Sequence, residues 1–586
     1  MITINYQKRK NVELFKTLEC YDFKNTQNYI PIYNRFFSLN ETNFNNVNLN
    51  HEWYLTNIKE NVEGNKNLYN CYIKNHSTQK TKTKQVFFKL APLVDPFKYL
   101  IGKYNPKDEK LYRLPFTTSD LEDFNLKFTE PNNSSYVDSF FSFLNSKLIH
   151  NYGFIHGVDF YGSYLSIKNN FTINVFDDLD YLNKSDYFNK NKNVLFHVDD
   201  YDFLFNDEDD EKHKLPLIKI DRTTSSVSNI SISSINDSMY DDVFSNEIVS
   251  FDNLKDRSLD IVDINNLEIQ TNITTTLKSG STCSSRSSYT EDNNKDDSCC
   301  NKDELDENGL DKYESESESN SDYNSDDSGN EERINVIIPQ FPVQIISMEK
   351  CESTFDELIL NEELSELEWY SAFMQIIMIL ITYQKMFAFT HNDLHTNNVM
   401  YNNTDAEFVY YCFKKKYYKV PTFGRVFKII DFGRSIYKFD GKLFCSDSFK
   451  NGEDAATQYN TEPYFNDKKP RLEPNYSFDI CRLACSIFDY MVEDSESIKN
   501  LDDCDPVTRL VVEWCLDDKG VNLLYKNDGS DRYPDFKLYK MIARCVHNHT
   551  PQSQLERKEF MSFLVSKNKI PGSAKIMNID DYPCCV

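Results

Sequence analysis

Positive charge is in short supply. The 586 residues carry 65 Lys and Arg against 92 Asp and Glu, a formal net charge of -27. Coating nucleic acid needs a basic field over the phosphates, so that class of function is excluded and only a local basic groove stays open. No apolar run reaches the length of a membrane span, and the opening "MITINYQKRKNVELF" has no apolar signal-peptide core. The 15 cysteines include Cys299 with Cys300, Cys481 with Cys485 and Cys584 with Cys585, but no repeated C-x-x-C at zinc spacing. A soluble chain in the cytoplasm or another intracellular compartment, with free thiols, is the expectation. The ending "YPCCV" lacks a prenylation signal, because Pro583 stands where the cysteine would have to be; Cys584 and Cys585 read as ordinary thiols on a frayed tail.

Aromatic residues, by contrast, are plentiful: 43 Phe and 37 Tyr supply a large core and exclude a wholly disordered chain. That content lapses from 221 to 333, where Ser, Asp, Asn and Glu dominate. Between Asn301 and Arg333 there are 13 acidic and 3 basic residues, more than a third of the net charge of the whole chain. Such a stretch buries too little apolar surface to offset its ordering entropy, so it is expected to be a disordered acidic insertion. Its serines beside acidic residues suit acid-directed kinases.

Structured blocks are expected on either side, giving an α+β fold class. The first has β-rich runs, "KQVFFKLAPL", "DFYGSYLSI" and "FTINVF", and one helix over "SYVDSFFSFLNSKLIHNYG". The second opens with the strand "INVIIPQFPVQIISME" and turns mainly helical. "SELEWYSAFMQIIMILITYQKMF" is apolar nearly all round, the mark of a helix buried on most sides, and "YSFDICRLACSIFDYMV" shares that character.

Directly after the first buried helix comes "FAFTHNDLHTNNVMY". Six hydrogen-bonding side chains, His391, Asn392, Asp393, His395, Asn397 and Asn398, stand between two apolar runs, where each needs a partner. Further on, "FKIIDFGRSIY" places Asp431 at the end of an apolar strand, two residues before the flexible Gly433. Carboxylate and amide oxygens presented together suit a hard cation such as Mg²⁺.

"HNDLHTNN" resembles the protein-kinase catalytic loop, and "DFG" at 431 to 433 resembles the kinase metal-binding motif. "HNDLHTNNVMY", "VPTFGRVFKIIDFGR" and "NYSFDICRLACSIFDY" are similar in particular to kinase-like proteins of giant DNA viruses. The resemblance implies a bilobal fold, a small β-rich lobe and a larger helical one, with ATP and Mg²⁺ as cofactors. Asp393 would receive or orient the proton of the attacking hydroxyl, Asn398 and Asp431 would hold metal, and His391 would brace the loop. His395 stands where the loop usually has Lys. Lys89 in "VFFKLAP" would bind phosphate, with Asp138 as its acidic partner. Met348 falls near the gatekeeper position, with Glu349 to Cys351 offering backbone groups to adenine, and Asp479 would anchor the catalytic loop. For His391 and His395 a metal-ligand role and structural hydrogen bonding both stay open, and Cys351 and Cys412 also read as packing residues.

In these terms, 1–49 is an N-terminal extension and 50–220 the first part of the small lobe. The insertion 221–333 follows, then the last small-lobe strand and hinge over 334–351, the large lobe over 352–570 and a tail over 571–586. Between Asp393 and Asp431 an extended hairpin is expected, containing "FVYYCFKKKYYKV"; its lysines suit a solvated face, or a dock for an acidic partner or for the chain's own acidic insertion. The chain departs from the kinase pattern before Lys89, where Gly64 is the single glycine of a long segment and no Gly-rich phosphate loop stands. An A-P-E motif is also lacking, with Glu462 or Glu473 as substitutes. The leading expectation is a Ser/Thr protein kinase acting on a protein substrate. A pseudokinase scaffold and a small-molecule kinase of the choline or aminoglycoside type are the alternatives. Neither the substrate nor the oligomeric state is written in the sequence.

Overall fold

The computed structural model describes residues 2–117, 124–201, 334–492, 498, 500–526 and 529–586. The expected acidic insertion, 221–333, lies outside the described residues. The chain divides into two units, Met1–Asp200 with Gly280–Val586, and Tyr201–Ser279. Of the second unit only Tyr201 is described, and every described strand and helix belongs to the first.

Antiparallel pairing organises the first block. Strands β1 (Phe23–Gln27), β2 (Trp53–Asn61), β3 (Leu68–Asn75), β4 (Thr81–Pro92), β5 (Phe160–Asn174), β6 (His197–Val198) and β7 (Asn335–Glu349) form one sheet. Its order is β1-β5-β7-β4-β3-β2, with the short β6 paired to β7, and every neighbouring pair runs antiparallel. The expected strands are present, and two of them are one: "DFYGSYLSI" and "FTINVF" are continuous in β5. In the polar "KNN" between them Asn169 pairs with the exposed Gln340, so the apolar pattern lapses there without ending the strand.

Helix α1 (Val12–Cys20) covers one face of this sheet. Leu14 and Leu18 pack with Leu55, Ile58, Tyr69, Ile73, Val86, Phe88, Tyr161 and Tyr164 in one buried cluster. The stretch expected as an N-terminal extension thus supplies both a sheet strand and a covering helix. Because side chains alternate along a strand, Val86 and Phe88 facing α1 send Lys89 to the opposite face. Helix α2 (Ser134–Tyr152) is buried along nearly its whole length, from Ser135 to Leu148. Asn133 caps its start by accepting from Ser135 N, and Gly153, at φ 67°, ends it in the left-handed conformation that glycine adopts without penalty.

The second block is built on helix α3 (Glu366–Phe387). A reciprocal capping box between Ser365 and Glu368 starts it, and Tyr370 to Tyr383 are all buried. Ala388 turns left-handed at its end and delivers the chain into the polar cluster. Strands β8 (Val399–Asn403), β9 (Phe408–Phe413), β10 (Lys416–Pro421) and β11 (Arg425–Ile429) follow. β8 pairs with β11, and β9 with β10 as the expected hairpin. Helices α4 (Phe478–Met491) and α5 (Phe536–Cys545) complete the frame around that cluster.

Near the end, β12 (Leu564–Val565) and β13 (Ile576–Asn578) extend the hairpin to four strands in the order β12-β10-β9-β13. The final residues are held rather than frayed. Cys585 N donates to Met386 O and Asp440 N donates to Cys585 O, both at 2.8 Å, which buries Cys585 while Cys584 stays exposed. Among the described residues no helix is long and apolar enough to cross a membrane.

Candidate functional site

Lys89 is the meeting point of two elements. Its Nζ stands 2.6 Å from Asp138 Oδ2 on α2 and 2.8 Å from Asp431 Oδ1. Asp138 is 2% exposed, so its charge depends on Lys89 and on Phe432 N, which donates to its other oxygen at 3.1 Å. Burial pushes the Asp138 carboxyl up while Lys89 opposes it. At Asp431 burial acts in the same sense, but Lys89 overrules it and holds the carboxyl down. Burial alone would lower the Lys89 ammonium, and the two carboxylates raise it instead. Asp431 is 45% exposed and adopts φ 63°, a conformation that L-residues seldom take. A residue strained in this way after the apolar β11 turns its carboxylate out of the sheet line towards Lys89.

The polar cluster is organised by Asp479. From the first turn of α4, fully buried, its two oxygens accept from His391 N and Asn392 N, each at 2.9 Å. Burial raises its carboxyl, and the two donated hydrogens counter that in part. Asn392, at φ 64°, accepts from Tyr459 Oη at 2.7 Å and donates to Arg434 O at 3.0 Å. His391 donates from Nε2 to Ile430 O at 2.9 Å and accepts Asp393 N at Nδ1, 3.3 Å away, which assigns its neutral tautomer. The ring thus ties the loop to the end of β11.

Asp393 points away from these partners. Tyr539 Oη donates to its Oδ1 at 2.7 Å, and Arg434 Nε lies 3.9 Å from Oδ2. Burial alone would raise its carboxyl; Arg434, His395, Arg482 and the Tyr539 hydrogen bond hold it at about 2. Asn398 Nδ2 donates to Asp393 O at 2.9 Å and to His395 Nε2 at 3.1 Å. Burial lowers His395 to about 4, which fits a ring nitrogen that accepts. With its nitrogen spent, Asn398 has Oδ1 left, to which nothing among the described residues donates. Asp393 and Asp431 lie close enough for their charges to interact.

The expected adenine-side residues lie at the end of β7. Met348 is buried and paired with Phe87 and Phe160. Glu349 commits its carboxylate to Lys428 Nζ at 2.7 Å and to Asp159 N at 3.0 Å, so its side chain is a structural tie. Burial pushes the half-buried Cys351 thiol up to about 12, which makes it an inert packing group. Among the described residues no three or more His, Cys, Asp and Glu side chains are grouped to hold a metal ion.

Sequence reasoning missed several participants. Arg434, directly after "DFG", pairs with Asp454 and faces Asp393, and its position in that motif was an available signal. Tyr539, Arg482 and Tyr459 had none, since their contacts cross long stretches of chain. Asp447, also missed, accepts Ser134 N at 2.9 Å, capping α2 from the segment after Gly433. No family model and no curated protein matches the chain.

Proposed function

We propose that the chain is an ATP- and Mg²⁺-dependent phosphotransferase of bilobal protein-kinase architecture, transferring phosphate to Ser or Thr hydroxyls of a protein. The observation that carries this reading is Lys89 bridging Asp138 and Asp431 at 2.6 and 2.8 Å. A kinase requires a strand lysine paired with a helix acid, and a DFG aspartate in place beside it. Here Asp fills the place of the usual Glu, and the short 2.6 Å contact means that close approach of α2 makes up for the missing methylene.

The donor set fits the implied cofactors. Asn398 Oδ1 and the half-exposed Asp431 are oxygen ligands, and Mg²⁺ completes its shell with phosphate and water rather than with an all-protein cage. Bound there, Mg²⁺ would neutralise charge on the transferring phosphoryl group. Lys89 would donate to phosphate oxygens from a position fixed by two carboxylates. Asp393, held at about 2, is ionised at any ordinary pH and is a weak base. Its contribution is therefore to accept the hydrogen bond of the attacking hydroxyl and aim it. A substrate hydroxyl must share Asp393 with Tyr539.

That last contact favours a second reading, a pseudokinase scaffold. Tyr539 already occupies Asp393 Oδ1, and the turn between β2 and β3 has Gly64 as its one glycine. Transfer of labelled phosphate from Mg-ATP to the chain and to generic protein substrates separates the two. Label present in wild type and lost in Asp393→Asn and Asp431→Asn supports the enzyme. No label in any of them, with no Mg-dependent nucleotide binding by calorimetry at millimolar ATP, supports the scaffold.

A further inference from the structure

The four-stranded sheet β12-β10-β9-β13 has one dry face and one wet one. Val409, Tyr411, Tyr418, Val420 and Met577 are buried on the inner side. Directly opposed pairs share a face, so Phe408 with Pro421 and Tyr410 with Lys419 line the outer side, all of them partly buried. Lys414 and Lys415 form the β9–β10 turn with Lys416 beside them at its open end, Lys567 and Lys569 follow β12, and Lys575 precedes β13, every one exposed.

Over 404–421 and 564–581 the sequence has seven lysines against four acids, in a chain where acids outnumber bases 92 to 65. The acids there do not neutralise the lysines. Asp580 turns its carboxylate to the backbone, accepting Lys414 N and Lys415 N at 2.8 Å each. Among the described residues none of the seven ammonium groups is in an ion pair. Even a surface ion pair is ordinarily available to lysines in so acidic a chain, so this face is short of its counter-charge.

We propose that this outer face docks the chain's own acidic segment, 301–333. Its 13 acidic residues against 3 basic ones supply the missing charge. Reach is no obstacle: fully extended, 301–333 spans roughly 110 Å. A foreign acidic peptide would have to approach a chain of net charge -27, whereas a tethered one has an effective concentration on the order of millimolar. Nucleic acid fits less well, because Lys419 already lies 3.7 Å from the Phe408 ring centre and Lys567 5.6 Å from that of Tyr417, over faces on which bases would stack. The surface offers ammonium groups to carboxylates and aliphatic stems to the peptide backbone. The inference rests on no assignment of catalytic activity.

Carbodiimide cross-linking of the full chain at low salt, with the monomer band mapped by mass spectrometry, tests it. Amide links should join lysines 414–416, 419, 567 or 569 to carboxylates of 301–333 within one chain. They should disappear in the Lys414→Glu, Lys415→Glu, Lys416→Glu variant. In parallel, acylation of Lys414, Lys415 and Lys416 should rise about threefold when 301–333 is deleted, and by a similar factor in wild type at high salt. Links confined to other lysines, links only between two chains, protection removed by nuclease, or acylation unchanged by the deletion would each overturn the proposal.

Discussion

Tyr539 on α5 donates its phenolic hydrogen to Asp393 Oδ1 at 2.7 Å, joining residues 146 positions apart. The Arg482 guanidinium lies 5.1 Å from the centre of the Tyr539 ring, so the phenol is itself held in place. A carboxylate surrounded in this way stays charged although it is largely buried.

Replacing Tyr539 by Phe removes one hydrogen from that carboxylate and leaves the ring. Asp393 should then titrate above its present value of about 2. Because its folded pKa is depressed, the stability it contributes is present above the ordinary carboxylate pKa and is lost as pH falls through about 2. In Tyr539→Phe that loss should be smaller and should finish at a higher pH, with about 1–2 kcal/mol less stability at neutral pH. Carbon-detected NMR titration of Asp393 and acid unfolding curves check both statements.

Lys89→Met leaves Asp138 buried without its cation. A loss of about 3–5 kcal/mol is expected from breaking a buried pair on one side. Adding Asp138→Leu should recover much of it, although neither variant should retain nucleotide binding. Denaturant midpoints for the two singles and the double give the coupling, and equal losses in all three would contradict the geometry.

Asp479→Ala deprives His391 N and Asn392 N of their acceptor together. About 2–4 kcal/mol of destabilisation should follow, and the two amides should exchange hydrogen faster than those of α3. Asp479→Asn keeps one acceptor oxygen and should lose roughly half as much.

Asp447 behaves in the opposite sense to Asp393. Burial pushes its carboxyl up to about 6, although Lys127 and Ser134 N favour the charge. The folded chain therefore binds this proton more tightly than the unfolded one, and stability is lost as pH rises from about 4 to about 6. Asp447→Asn does not titrate, so wild type should fall relative to it by roughly 2–3 kcal/mol across that window. Urea unfolding of both at several pH values tests the slope, and a relative gain with rising pH would show the sign to be wrong.

The elements are legible where periodicity is strong. The buried α2, α3 and α4, and the strands β4 and β7, follow from their apolar patterns, and resemblance alone sets Lys89 beside Asp138 and Asp431. Glu349 shows a limit of such motifs: its position can be read, but its pairing with Lys428 joins residues 79 positions apart and has no local signature. Tyr539 and Asp447 are invisible for the same reason, since each acts on a residue far away in sequence and sits in an unremarkable local pattern. The roles of residues 12–27 and of Cys585 escape a reading of the sequence because short strands and single backbone hydrogen bonds leave no signature in composition.

The strand order of the large sheet bears on how the chain is made. β7 lies between β5 and β4, yet its last residue, Glu349, follows Asn174 at the end of β5 by 175 positions. At about 5–20 residues per second, a ribosome needs roughly ten to thirty seconds to cover that distance. Throughout that interval β4 and β5 each present an open edge of unpaired amides and carbonyls. The nascent chain is then a sheet waiting for its middle strand, and this is the stage at which a chaperone would be recruited and at which self-association would compete with folding.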